Sequence, residues 1–206
     1  MNNLLLIFVK HPEAGKSKTR LAATLGHDKA LDIYRRLLAY TRDISAQVDA
    51  DKAVFYGNQM PKKDLWSDIN YPRYQQEGEG LGERMEHAFK WGFEQGYKRI
   101  VIIGSDNARL TASHLQEGFD SLGEKDFVIG PAKDGGYYLL GMKELFADVF
   151  SNKEWSTATV FSDTKEDIVK VGKSLAELET LSDVDVEADL KGTFLEEFTT
   201  EKESGA

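Results

Sequence analysis

Apolar positions follow two rhythms along this chain. Short runs at residues 4–9, 52–56 and 99–103, apolar but for Lys52 and Arg99 at their starts, predict buried strands. Between them apolar residues recur at helical spacing. Such a pattern covers 19–25, then 27–48 through Leu31, Tyr34, Leu37, Leu38 and Ile44, with Gly26 and His27-Asp28 as punctuation. Residues 81–95 form an amphipathic pattern with Met85, Ala88, Phe89 and Phe93 on one side. A further helix is predicted over 112–122, with Thr111 as its N-cap. The stretch 58–74 holds Pro61 and Pro72 and reads as loop with one short helix. Short strands are predicted at 127–129 and 137–140 around a Gly-Gly turn, helices at 143–149 and 157–167, and a last strand at 169–171.

The β-α-β-α-β order predicts an α/β fold with a mainly parallel sheet flanked by helices. No composition shift marks a boundary. Residues 1–198 are therefore expected as one domain, and the polar residues 199–206 as a frayed tail.

Composition narrows the function classes. The chain has 206 residues, 41% of them apolar, enough for one buried core. No apolar run approaches the roughly 18 residues of a membrane span. The start, Met1-Asn2-Asn3, lacks the basic head of a signal peptide, so a cytoplasmic protein is expected. The absence of cysteine excludes disulfides, thiolate metal sites and a cysteine nucleophile. A net charge of −9 argues against nucleic-acid binding, which needs a basic face.

Against that acidic background the loop after the first strand stands out. Lys10, Lys16, Lys18 and Arg20 face a single acid there, Glu13. Phosphate recognition wants cations and free backbone amides aimed at one point, and Gly15 would let the backbone approach closely. Gly15-Lys16-Ser17 is not a Walker A loop, since position 10 is Lys where that pattern needs Gly. A solvated lysine-rich turn is the alternative reading. Asp106, just past the strand at 99–103, falls where α/β sheets keep their ligand crevice and suits Mg²⁺ or Mn²⁺. Thr111 is better placed to cap the next helix, which leaves Asp106 without a structural task.

Other stretches stay open at this level. Asp134-Gly135-Gly136 is either an ordinary turn or, flanked by Lys133 and Tyr137, a place where substrate lies. The acids Asp183, Asp185, Glu187 and Asp189 are either a solvated helix start or a source of a second metal ligand. Arg84, near a helix start, either reaches phosphate or pairs with an acid. Trp155-Ser156-Thr157 is either a cap preceded by a packing aromatic or part of an acceptor wall. The four histidines show no metal spacing.

Together and in this order these motifs resemble the bacterial DUF2064 family, described as glycosyltransferase-like, in the nucleotide-diphospho-sugar transferase superfamily with the GT-A fold. The matching residues are Phe8-Val9-Lys10 with Pro12, Gly15 and Lys18-Thr19-Arg20-Leu21; Gln76 with Leu81-Gly82-Glu83-Arg84-Met85; and Gly104-Ser105-Asp106 with Leu110-Thr111. They continue through Gly130-Pro131-Ala132 with Asp134-Gly135-Gly136-Tyr137-Tyr138, then Trp155-Ser156-Thr157, then Asp183-Val184-Asp185 with Asp189-Leu190. The similarity spans residues 4–191. After the metal-type aspartate the family has a small residue or Cys, then Pro; this chain has Asn107-Ala108. The Lys-Thr-Arg-Leu block also resembles phospholactate guanylyltransferases, and the Asp-Val-Asp ending resembles molybdenum cofactor cytidylyltransferases.

The resemblance implies a metal-dependent transferase with a nucleotide-diphosphate donor. Lys10, Gly15, Lys16, Lys18, Arg20 and Arg84 would hold phosphate. Asp106, with Asp183 or Asp185, would hold Mg²⁺ or Mn²⁺. Asp134 is the candidate base, and Gly135, Gly136, Tyr137 and Trp155 would meet the sugar or acceptor. Transfer of a sugar from a nucleotide sugar to a small acceptor is the expected reaction. Transfer of a nucleotide from a triphosphate with release of pyrophosphate is the rival, and a non-catalytic nucleotide-binding module the third reading.

Overall fold

The computed structural model describes residues 2–151 and 153–199. The strands are β1 (Asn3–Val9), β2 (Asp51–Tyr56), β3 (Arg73–Gln75), β4 (Arg99–Ile103), β5 (Phe127–Pro131), β6 (Tyr137–Met142) and β7 (Leu175–Glu177). The α-helices are α1 (Thr19–Leu25), α2 (His27–Ala46), α3 (Leu81–Glu94), α4 (Ala112–Glu124) and α5 (Val160–Lys170). The strands form one mixed sheet in the order β3-β2-β1-β4-β6-β5-β7. Neighbours pair in parallel except for β6, which runs antiparallel to both β4 and β5. The α/β architecture with a mainly parallel sheet is as the sequence implies.

A parallel sheet needs cover on both faces. Strand β1 shows how the sequence provides it. Leu5, Ile7 and Val9 enter a core shared with Tyr34 and Leu38 of α2 and Leu115 and Phe119 of α4. Leu4 and Leu6, pointing the other way, pack with Met85, Ala88 and Phe89 of α3. A third cluster joins Leu21 and Leu25 of α1 to Ile33 and Leu37 of α2 and to Val184, Leu190 and Leu195 near the C-terminus. That cluster straps the C-terminal segment across the two helices. Each fully buried Leu or Val contributes about 1.5–3 kcal/mol.

Thr111 is the N-cap of α4, in a capping box: His114 N–H donates to Thr111 Oγ1 at 3.3 Å and Thr111 N–H donates to His114 Nδ1 at 3.1 Å. The helix expected at 143–149 is only a 3₁₀ turn, Ala147–Phe150. The strand expected at 169–171 is instead the end of α5 and its C-cap; the strand comes later, as β7. Helix α5 starts at Val160, so Thr157 is not its cap. Strand β3 lies in the stretch read as loop. Of the expected tail, residues 200–206 lie outside the described residues. No helix among the described residues is long and apolar enough to cross a membrane.

Candidate active site

Strands β1 and β4 are parallel neighbours, with Ile7 opposite Ile103. The segments leaving their C-terminal ends therefore emerge side by side, the position where such sheets bind ligands. A cleft of about 920 Å³ opens there. It is lined by Lys10, Lys16, Lys18 and Arg20 after β1, and by Gly104, Ser105 and Asp106 after β4. Asp183 and Asp185 reach the same cleft from the C-terminal segment. What brings them there is the third hydrophobic cluster, reinforced by the Val184 N–H, which donates to the Asp106 carbonyl at 2.8 Å.

Charges of both signs interlock at this point. The Lys18 ammonium lies 2.9 Å from Asp106 Oδ1 and 3.6 Å from Asp185 Oδ1, and donates to the Val184 carbonyl at 2.7 Å. Arg20 Nη1 lies 3.2 Å from Asp185 Oδ2. Asp183 accepts from Asn107 Nδ2 at 3.0 Å. Burial, then the Asp106 carboxylate, push the Asp183 carboxyl up to about 6; Asn107 and Lys18 pull the other way and Asp134 adds to the rise. Asp189 does not enter the cleft lining. Its Oδ2 accepts from the backbone N–H groups of Asp185 and Val186 at 2.9 and 2.8 Å, which fixes the turn that presents Asp185.

The remaining expected residues divide. Lys16 borders the cleft, but its ammonium is 2.7 Å from Glu13, whose carboxyl it holds below the usual range. Gly15 does not line the cleft; its φ of +76°, a conformation open to glycine, accounts for it. Arg84 lines the cleft with its Nε anchored on the Gly78 carbonyl at 2.9 Å. Asp134 lines it too, and its Oδ1 accepts from Gly136 N–H at 3.0 Å. Gly136 and Tyr137 are also in the lining. The Tyr137 hydroxyl lies 3.9 Å from Met85 Sδ, and burial raises its pKa well above the tyrosine range. Gly135 is outside the lining, at φ +90°, where a side chain would strike the Ala158 backbone.

Trp155 forms a wall between this cleft and a second cavity of about 650 Å³. Its indole lies directly on Gly82 of α3, where a Cβ would come within 2.5 Å of Nε1. The Gly82 in Leu81-Gly82-Glu83-Arg84 is thus the floor under Trp155.

Two contributors escaped the sequence reading. Tyr34 of α2 extends its hydroxyl to the Lys10 N–H at 2.9 Å, the Lys10 carbonyl at 3.1 Å and Ser105 Oγ at 3.4 Å. Asn107, buried, accepts from Arg109 and Leu110 N–H at 2.8 and 2.9 Å while donating to Asp183. It closes the turn by these bonds, one residue before Ala108, which stands where the resembled pattern has proline. A helical Tyr and a post-aspartate Asn carry no signal of these roles until the chain is folded.

The fold is that of transferases that use nucleotides. The profile of the family described as "Uncharacterized protein conserved in bacteria (DUF2064)" matches residues 32–157, and the chain belongs to that family. A candidate nucleotide-diphospho-sugar transferase from Desulfovibrio desulfuricans G20 is 31% identical, with a TM-score of 0.86 over 96% of this chain and 93% of that one. The inositol-1-phosphate CTP transferase from T. maritima shares the fold at 14% identity, TM-score 0.57, over 100% of this chain and 98% of that one. So does the 4-diphosphocytidyl-2C-methyl-D-erythritol synthase from Anaerococcus prevotii, at 10% identity, TM-score 0.59, over 91% and 94%. No curated protein matches the chain.

Proposed function

We propose that this protein is a metal-dependent transferase that takes a sugar nucleotide into the cleft and moves its sugar to a small acceptor. The observation that carries the reading is the meeting of Lys18 and Arg20 with Asp106 and Asp185 at one point of a cleft at the C-terminal ends of β1 and β4. The 31% identical relative, a candidate nucleotide-diphospho-sugar transferase, supports the choice of donor.

The chemistry of the donor set, carboxylates beside a cationic loop, suits Mg²⁺ or Mn²⁺. Asp106 and Asp183 face one cleft closely enough that the charge of the first raises the pKa of the second. A divalent cation relieves that repulsion. Among the described residues no group of three or more acids or histidines forms a metal cage. Two carboxylates would suffice only for an ion that completes its shell with substrate phosphates and water, the usual habit of Mg²⁺. Asp106 with Asp183 or Asp185 would hold it, and when bound it supplies neutralisation of charge on the leaving diphosphate.

The chain's own residues do the rest. Lys10, Lys18, Arg20 and Arg84 bind the diphosphate and favour its departure by offering positive charge. The acceptor oxygen bonds to the anomeric carbon as the bond from that carbon to the phosphate oxygen breaks. The nucleoside diphosphate leaves with the electron pair, and Asp134 Oδ2 takes the acceptor proton. Trp155 and Tyr137 shape the acceptor side and exclude water. The density of cations after β1 also favours a second reading, nucleotidyl transfer from a triphosphate with loss of pyrophosphate.

A thermal-shift panel of nucleoside triphosphates, diphosphates and sugar nucleotides with Mn²⁺ tests the proposal. A metal-dependent rise in Tm with a sugar nucleotide, followed by release of free nucleoside diphosphate when acceptors are added, is expected. Asp106→Ala abolishes both. Pyrophosphate release from a triphosphate selects the second reading, and no shift with any nucleotide overturns both.

A further inference from the structure

Lys18 differs from the other cations of its loop. Its side chain is 7% exposed, against 75% for Lys16 and 73% for Arg20. Its backbone is in the left-handed region at φ 49°, ψ 52°, which a lysine rarely adopts. An ammonium has three donors. Here one goes to the Val184 carbonyl at 2.7 Å, and two carboxylates from distant segments form ion pairs with the same ammonium, Asp106 Oδ1 at 2.9 Å and Asp185 Oδ1 at 3.6 Å. The positive charge of the side chain thus lies between the very carboxylates that a divalent ion would need.

We propose that Lys18 is a resident counter-cation that keeps a divalent metal off Asp106 and Asp185 until a phosphate ligand takes over its charge. The inference rests on the reading of the cleft as a phosphate site. Two cations cannot share one carboxylate oxygen at such range without strong repulsion, and the shielded setting of Lys18 weakens the screening that would mask it. A polyphosphate entering the cleft offers the ammonium a new anionic partner. Asp106 Oδ1 is then free for the metal, which the same phosphate helps to coordinate. Metal and nucleotide consequently bind with positive coupling, and the coupling is reciprocal. In the ligand-free chain, Lys18 also spares Asp106 and Asp185 the repulsion they would otherwise exert on each other.

Binding of Mn²⁺ alone to the intact chain, followed by the electron-paramagnetic signal of free Mn²⁺, tests this. Lys18→Met is expected to bind Mn²⁺ on the order of 10-fold more tightly than the unaltered chain, the size of a typical coupling. Arg20→Met removes the same charge from Asp185 but not the ammonium between the carboxylates, and is expected to change Mn²⁺ affinity less than about 3-fold. Pyrophosphate is expected to tighten Mn²⁺ binding by the unaltered chain, and to do so far less in Lys18→Met, where the ammonium it would draw off is gone. Equal Mn²⁺ affinity in Lys18→Met and the unaltered chain overturns the proposal. A gain in Arg20→Met equal to that in Lys18→Met overturns it too, because the effect is then one of general field. Where Lys18→Met does not fold, Lys18→Gln, which keeps a donor for Val184, carries the same comparison. No response of the unaltered chain to Mn²⁺-pyrophosphate overturns the phosphate reading of the cleft, whereas the role of Lys18 is judged on Mn²⁺ alone.

Discussion

Asn107 Nδ2 donates to Asp183 Oδ1 at 3.0 Å, joining two loops that are 76 residues apart. The same side chain closes its own turn through two backbone N–H groups. Asn107→Ala removes all three bonds from a buried position and leaves Asp183 with one fewer donor. A loss of about 2–4 kcal/mol in unfolding free energy is expected, read by urea denaturation. Asn107→Asp keeps the turn acceptor but sets a carboxylate against Asp183. It should therefore be the more damaging of the two at pH 8 and recover relative to Ala at pH 5. Equal behaviour of the two variants across pH would show that the bond to Asp183 does not matter.

The pH dependence of the unliganded chain follows from Asp183. Its folded-state pKa, about 6, lies above the 3.8 of a free aspartate. Between these values the folded chain binds more protons than the unfolded one, so this group's contribution makes stability fall as pH rises from about 4 to about 6. The full effect is at most about 3 kcal/mol. Other carboxyls act in the opposite sense; Glu13 and Asp126, held low by Lys16 and Ser174, lose stabilisation as pH falls. The difference between the unaltered chain and Asp183→Asn isolates the wanted contribution. Asp183→Asn should gain in relative stability between pH 4 and pH 7, measured by denaturant midpoint, and a flat difference refutes the assignment.

Trp155 rests on Gly82 with no room for a methyl group. Gly82→Ala should improve the helix by up to about 1 kcal/mol through propensity, yet force the indole away at a packing cost of about 1–3 kcal/mol. The net expectation is mild destabilisation with an altered cleft wall. Trp155 emission should shift to the red in a chain that also carries Trp66→Phe and Trp91→Phe. Unchanged emission would mean the indole does not rest there.

What the sequence revealed and what it hid have different physical origins. Strands β1, β2 and β4 are legible because, past their polar first residues, they are buried on both faces and read as apolar runs. Strand β3 is hidden, since Arg73, Tyr74 and Gln75 pair with β2 at the sheet edge through the backbone, whatever the side chains. Val169 and Val171 have strand-like branching, but α5 continues through Lys170 and Val169 is left exposed on it. The candidate site was legible one element at a time: a cationic loop after one strand, an aspartate after another. Its assembly was legible only through the family resemblance and not from spacing, because Lys18 meets Val184 across 166 residues through a cluster whose apolar positions look like any others. Gly135 looks like a substrate-facing turn residue and is held instead by its φ and the Ala158 backbone.

A brace lies under the cleft. Tyr34 stands on α2, yet its hydroxyl grips both backbone polar groups of Lys10 and touches Ser105, so one side chain ties the exit of β1 to that of β4. Those exits carry Lys10 and Asp106. Burial, with the nearby Asp106 charge, raises the pKa of the phenol well above the tyrosine range, so it stays a neutral donor and acceptor at any working pH. Tyr34→Phe keeps the ring in the core and removes only the oxygen. The Lys10 N–H then loses its partner in a partly buried place, at a cost of about 1–3 kcal/mol. Tyr34→Phe should lower Tm accordingly, and amide exchange at Lys10 should accelerate while exchange in β4 itself stays slow. Any transfer activity of the proposed kind should fall less than in Asp106→Ala, because the phenol is neutral and braces the loop, whereas Asp106 supplies charge to the cleft. A Tyr34→Phe chain with unchanged protection at Lys10 would show that the loop is fixed by something else.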